Sequence, residues 1–101
     1  MALPAIRSHT EPGTVVVSLH GAVDEHDGTQ LRRALVDAIV HTRPQRIVID
    51  LTDATALDPT NLGALLAAHD SAACLHITLA VRHPNPTLTA QLDDCGLTPA
   101  A

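Results

Sequence analysis

Strand-like and helix-like segments alternate along this chain, and that alternation is the feature that most restricts its fold. Three runs are rich in β-branched and aliphatic residues, namely 14–20 (TVVVSLH), 46–51 (RIVIDL) and 75–81 (LHITLAV). A weaker strand is predicted around residues 3–8. Apolar residues recur with helical spacing in 27–42, from 59 onward and in 87–96, and Asp27 is a candidate N-cap for the first of these helices. Residues 53–58 (DATALD) are predicted to form a loop. A strand–helix–strand unit joins parallel strands by a right-handed crossover. This order therefore predicts a small α/β sandwich, in which α-helices pack against a mixed, mostly parallel sheet of about four strands.

Composition restricts both the core and the partners. The chain has 101 residues, 46% of them hydrophobic and none aromatic, so we expect a single domain over 1–101 with a core of Leu, Val, Ile and Ala. Without rings to stack on bases, and with 11 acidic against 6 basic residues, the surface is expected to repel nucleic acid. No apolar run reaches the roughly 18 residues that span a bilayer, and no signal peptide is evident. We therefore expect a cytoplasmic protein with no nucleic-acid partner and no direct membrane insertion.

The candidate metal ligands and nucleophiles form no recognisable catalytic pattern. The seven histidines are scattered, and no pair has the H-x-x-x-H or H-E-x-x-H spacing of a zinc site. Cys74 and Cys95 lie outside any C-x-x-C pattern and are expected to be reduced thiols in packing positions. Neither a G-x-S-x-G motif nor a phosphate-binding glycine loop occurs. The sequence thus predicts no catalytic residue, metal or cofactor, and favours a binding module over an enzyme or small-ligand sensor.

Residues 58–61 (DPTN) stand directly before an apolar run with helical spacing. Asp58 is predicted to cap a helix, with Pro59 at its first position and Thr60 and Asn61 in its first turn. Capping alone would explain these residue types. Alternatively, Thr60 is a modification site, since unpaired N–H groups and the positive end of the helix dipole favour a phosphate there. The residues by themselves leave both interpretations open.

The segment 51–69 (LTDATALDPTNLGALLAAH) resembles the signature of STAS domains, specifically the bacterial anti-sigma-factor antagonists, also called anti-anti-sigma factors. Asp50 and Leu51 match the end of that family's strand, Asp58 its motif aspartate, and Leu62 the start of its helix. The segment 21–24 (GAVD) resembles the family's Gly-x-x-Asp, which gives Asp24 the place of a second acidic residue. The closing segment 81–97 resembles its proline-containing turn and last helix, so the resemblance covers about residues 14–97.

The resemblance implies a regulatory binding module without catalysis of its own. In that family the unphosphorylated domain binds an anti-sigma factor with a histidine-kinase-like ATPase fold and so releases a sigma factor. Phosphorylation at the helix start breaks the complex, and a serine/threonine phosphatase restores it. Carried over, Thr60 is the expected phosphoacceptor, and the expected partner-binding residues are Asp24, Asp58, Pro59, Asn61 and Leu62.

Three departures from the family pattern keep a second function open. Pro59 stands where a small hydroxyl residue is usual, and it fixes φ and removes a backbone donor. Asn61 replaces the glycine after the acceptor. The chain also ends at LTPAA, without the final strand and helix of longer members. The alternative is therefore a STAS module that does not switch, acting as a fixed subunit of an assembly such as a lipid-transport ABC ATPase complex.

Overall fold

A computed structural model describes residues 5–94, 96 and 97 of the chain. Four strands form one sheet in the order β1-β2-β3-β4: β1 (Ile6–Glu11), β2 (Thr14–Val23), β3 (Arg46–Leu57) and β4 (Thr78–Arg82). The β1–β2 hairpin is antiparallel, and its turn contains Gly13 at φ +71°, a backbone conformation that glycine adopts without strain. The other two pairings are parallel. The sheet is therefore mixed and mostly parallel, as the sequence predicts.

Three α-helices complete the fold: α1 (Gly28–Val36), α2 (Pro59–Cys74) and α3 (Pro86–Asp94). A π-helical segment, Asp37–Thr42, continues α1. All three helices contribute to one hydrophobic cluster with the sheet face that carries Val15, Val17 and Leu19. The most buried members come from β2, β3 and every helix, and include Val17, Ile49, Leu31, Leu65, Leu88 and Leu92. The core is thus aliphatic throughout, and none of the described helices is long and apolar enough to cross a membrane.

Some element boundaries differ from the sequence prediction. β3 continues through 53–57, which the sequence predicted as a loop, because β2 also continues and the two strands pair as far as Val23 and Leu57 after two register shifts. Within the described residues β1 begins at Ile6, and residues 3 and 4 of the predicted strand lie outside them. β4 begins at 78 rather than 75. Cys74 is exposed rather than packed, and Cys95 lies outside the described residues.

Candidate functional site

The carboxyl ends of the parallel strands β2 and β3 lie side by side, where α/β sheets usually place their functional groups. Val23 pairs with Leu57 at this edge, and the next residue of each chain segment is an aspartate, Asp24 or Asp58. The Asp58 N–H donates to the Val23 carbonyl oxygen at 3.2 Å. The topology therefore brings together two acidic residues that the sequence analysis selected separately.

Asp58 caps α2 as predicted. Its backbone is extended (φ −76°, ψ 163°), and its Oδ1 accepts from the Asn61 N–H at 2.9 Å, which satisfies one of the free donors of the first turn. Pro59 follows at the first helical position, where its missing N–H costs nothing. Asp58 is half-buried, whereas Pro59 and Thr60 are exposed. We refer to Asp24, Asp58, Pro59 and Thr60 as the strand-end surface.

The same cap recurs at α3. Asn85 accepts from the Leu88 N–H at 2.8 Å, and Pro86 and Thr87 follow it as Pro59 and Thr60 follow Asp58. Helix capping therefore accounts for the residue types of this pattern at both helices. What distinguishes the start of α2 is its surroundings, above all the loop that carries Asp24.

The loop of residues 24–27, which leads from β2 to α1, is closed by its own side chains. Asp24 Oδ1 accepts from the His26 N–H at 2.9 Å and from the Asp27 N–H at 3.3 Å. Asp27 precedes α1 as predicted, but its side chain makes no cap hydrogen bond. Its Oδ2 instead accepts from the Asp24 N–H at 3.3 Å. Asp27 therefore occupies the N-cap position of α1, as predicted, but its carboxylate bonds to the loop rather than to the first turn of the helix.

Asn61 connects that loop to α2. Its side chain is 0% exposed, and its Nδ2 donates to the carbonyl oxygens of Val23 (3.0 Å) and Asp24 (2.9 Å). Leu62 is also buried, at 7% exposure, within the hydrophobic cluster. Both side chains are therefore covered in the free chain, although both residues were predicted to bind a partner. We expect them to contribute to partner binding through the residues that they hold in place.

The helical spacing of the sequence could have indicated that Asn61 is buried. Asn61, Leu65, Ala68 and Ala72 follow one another at three- and four-residue intervals, and all four are buried. The prediction of Asn61 as a partner-binding residue assumed that it lies at the surface. Because asparagine is polar, the hydrophobic pattern alone does not assign Asn61 to this buried face.

Gly28, at the start of α1, was not selected from the sequence and proves to be part of the same arrangement. A Cβ at this position would lie 3.0 Å from Asn61 Oδ1 and 3.5 Å from Arg32 Nη1. Asn61 Oδ1 is buried and has no hydrogen-bond partner among the described residues. The hydrogen bonds of Nδ2 hold the amide in position, so the side chain cannot turn away from a larger residue at 28.

One ionised group with a shifted pKa lies outside this surface. Burial raises the pKa of the Asp50 carboxyl, but hydrogen bonds from Thr52 (Oγ1 at 2.6 Å, N–H at 3.0 Å) and the nearby positive charge of Arg82 and His83 lower it by more. The net pKa is therefore below its ordinary value. An ion pair with Arg82 at 3.7 Å indicates a structural role for Asp50 on the sheet.

One groove outside the strand-end surface is apolar. A groove of about 260 Å³ lies between α1 and α2, and its lining is hydrophobic apart from Arg32 and Ser71. Within residues 5–94, 96 and 97, no three His, Cys, Asp or Glu side chains are grouped so that they could hold a metal ion. The described part of the chain therefore offers a surface for binding at the strand ends, with hydrogen-bonded carboxylates and an exposed hydroxyl.

These features define a small α/β domain whose candidate site is an acidic helix start at the ends of two parallel strands. The model of the STAS domain family matches residues 5–100, and the chain belongs to that family. No curated protein sequence matches the chain.

Solved structures share the fold at low sequence identity. The unphosphorylated anti-sigma factor antagonist SpoIIAA is 20% identical with a TM-score of 0.80, over 96% of this chain and 88% of that one. The phosphorylated form of the Bacillus cell-fate determinant SpoIIAA has the same identity and TM-score, over 96% of this chain and 92% of that one. A sulfate transporter family protein from Wolinella succinogenes is 16% identical with a TM-score of 0.72, over 87% of this chain and 70% of that one. At these identities the similarity establishes the fold.

Proposed function

We propose that this chain is an anti-sigma-factor antagonist. It binds an anti-sigma factor with a histidine-kinase-like ATPase fold through the surface around residues 58–62, and so releases a sigma factor in the cytoplasm. Phosphorylation of Thr60 ends the binding, and a serine/threonine phosphatase restores it. The chain acts by binding alone, without a catalytic residue, cofactor or metal of its own.

The observation that supports this proposal most is the grouping of Asp24, Asp58 and Thr60 on the strand-end surface. Thr60 is exposed in the first turn of α2, where the helix dipole tolerates added negative charge. A phosphate there carries a charge of about −1.5 to −2. Added beside two aspartates, it changes strongly what a partner with complementary basic groups meets, while the fold itself is not disturbed.

A second candidate is a STAS module that binds without switching, within a larger assembly. It is favoured by the presentation of Thr60, which has the rigid Pro59 before it and the buried, hydrogen-bonded Asn61 after it. Both neighbours reduce the freedom of the backbone that a kinase has to accommodate. The similarity in fold to a sulfate transporter family protein is in keeping with such a module.

The experiment that tests the proposal is affinity purification from native cells of three forms: the wild type, Thr60→Glu and Thr87→Glu. Thr87 is the matched control, because it is exposed at the same position after the Asn85-Pro86 cap of α3. We expect an ATP-binding anti-sigma factor to co-purify in stoichiometric amount with the wild type and Thr87→Glu. Its recovery should fall at least tenfold with Thr60→Glu.

Intact-mass measurement of the native protein, with peptide mapping over residues 47–82, completes the test. One phosphate on Thr60 in part of the protein supports the switch. An ABC-type ATPase that co-purifies equally with all three forms, together with a single unmodified mass in growth and stress, would establish the second candidate instead.

A further inference from the structure

We propose that Asn61 is a positioning residue that couples the loop of residues 24–27 to the start of α2, so that charge added at Thr60 alters the conformation of the loop carrying Asp24. The inference deepens the proposed function and rests on it, since it describes how the two halves of the strand-end surface act as one. No partner is required to test it.

The coupling depends on hydrogen bonds that join distant parts of the chain. Asn61 Nδ2 donates to the carbonyl oxygens of Val23 and Asp24, at 3.0 and 2.9 Å. The Asn61 N–H donates to Asp58 Oδ1 at 2.9 Å, and the Asp58 N–H donates to the Val23 oxygen at 3.2 Å. Asn61 thus bonds both to the cap of α2 and to the backbone of the loop, from a position next to Thr60.

The loop can respond as a unit because it is closed on itself. The Asp24 carboxylate accepts from two N–H groups of the loop, and the Asp24 N–H donates to Asp27. A displacement of the Asp24 carbonyl through its bond to Asn61 therefore changes the orientation of its carboxylate relative to Thr60. A glycine at 61 would provide no such connection, because it has no side chain that could reach Val23 and Asp24.

The asparagine at the start of α3 provides a matched control. Asn85 Nδ2 donates to the carbonyl oxygens of Ala54 and Thr55, each at 3.3 Å. It therefore joins a helix start to a neighbouring strand much as Asn61 does, but among the described residues it forms no hydrogen bond with the loop of residues 24–27. Removing its amide tests the general effect of losing such a bond.

The experiment measures the backbone amide chemical shifts of the ¹⁵N-labelled protein, with and without Thr60→Glu, in three backgrounds: wild type, Asn61→Ala and Asn85→Ala. The reporters are the amides of Asp24, His26 and Asp27. Thr60→Glu is expected to shift them in the wild type and in Asn85→Ala, and at least half of that shift is expected to disappear in Asn61→Ala. Equal shifts in all three backgrounds would mean that the charge acts through space, and the proposal would be overturned.

A second measurement covers the case in which Asn61→Ala fails to fold. The side-chain amide resonances of Asn61 are followed in the wild type and in Thr60→Glu, both with asparagine at 61. They are expected to move, while those of Asn85 stay in place. Asn61 resonances that do not move would overturn the coupling without bearing on whether an anti-sigma factor binds, and loss of partner recovery would not by itself affect the coupling.

Discussion

Replacing Asn61 by aspartate changes its shape little and its chemistry completely. The amide nitrogen that donates to Val23 and Asp24 becomes an oxygen facing two carbonyl oxygens at 3.0 and 2.9 Å, in a side chain that is 0% exposed. A buried carboxylate in such a place takes up a proton, and its pKa rises. The folded state of Asn61→Asp is therefore expected to bind a proton that the unfolded state releases.

The cost follows from the pH. Unfolded aspartate has a pKa of about 3.9, and each further pH unit costs about 1.36 kcal/mol until the raised folded pKa is reached. Forced protonation at pH 7 would thus cost about 4 kcal/mol, against about 1.5 kcal/mol at pH 5. The positive charge of Arg32 reduces this cost. A Cβ atom at position 28 would lie 3.0 Å from Asn61 Oδ1 and 3.5 Å from Arg32 Nη1, so these two atoms are at most 6.5 Å apart. We therefore expect a loss of about 3 kcal/mol at pH 7, and about 2 kcal/mol less at pH 5.

Urea denaturation of the wild type and Asn61→Asp at pH 5 and pH 7 measures this difference directly. Asn85→Asp is the control. It also loses two Nδ2 donations, to the Ala54 and Thr55 carbonyl oxygens at 3.3 Å, but its carboxylate is only half-buried and caps a helix as well as the amide does. It is expected to stay within about 1 kcal/mol of the wild type at both pH values. An Asn61→Asp protein as stable as the wild type at pH 7, or a loss that does not change with pH, would refute the assignment of this amide as a buried donor.

Other changes test the packing and the electrostatics. Leu65→Ala should lower the free energy of unfolding by about 2–5 kcal/mol because Leu65 is fully buried, and an unchanged urea midpoint would contradict the packing of α2. Gly28→Ala should cost about 1–3 kcal/mol, since its Cβ would lie 3.0 Å from the fixed Asn61 oxygen. Gly63→Ala, with nothing within 4 Å of its Cβ, should instead stabilise α2 by about 0.5–1 kcal/mol in the same thermal or urea assay. Asp50→Asn should lower the free energy of unfolding by about 1 kcal/mol at pH 7. Because the folded pKa of Asp50 is lowered, its stabilisation exists above about pH 3.9 and disappears as the pH falls through that lowered pKa. The stabilities of the two proteins should therefore converge in acid.

Much of the fold can be predicted from the sequence, because its elements have clear local signals. The β-branched run of β2 and the Asp58-Pro59 cap of α2 specify their conformations within a few residues of chain. The extension of β3 to Leu57 has no such signal, since Asp53, Ala54 and Ala56 have low strand propensity and only pairing with β2 makes this segment a strand. The same limit applies to the site. The burial of Asn61 depends on carbonyl groups of β2 and its following loop, which no local pattern reveals.

The close approach of Gly28 and Asn61 has a consequence for how related chains vary. Position 61 carries a side chain whose amide is fixed against position 28, so neither residue is free to change alone. A homologue with glycine at 61 would leave the space beside position 28 empty, and larger residues should be accepted at that helix start. In homologues that keep asparagine at 61, glycine should be retained at 28. The two positions are therefore expected to covary, and their joint variation would show which members of the family share this link between the two loops.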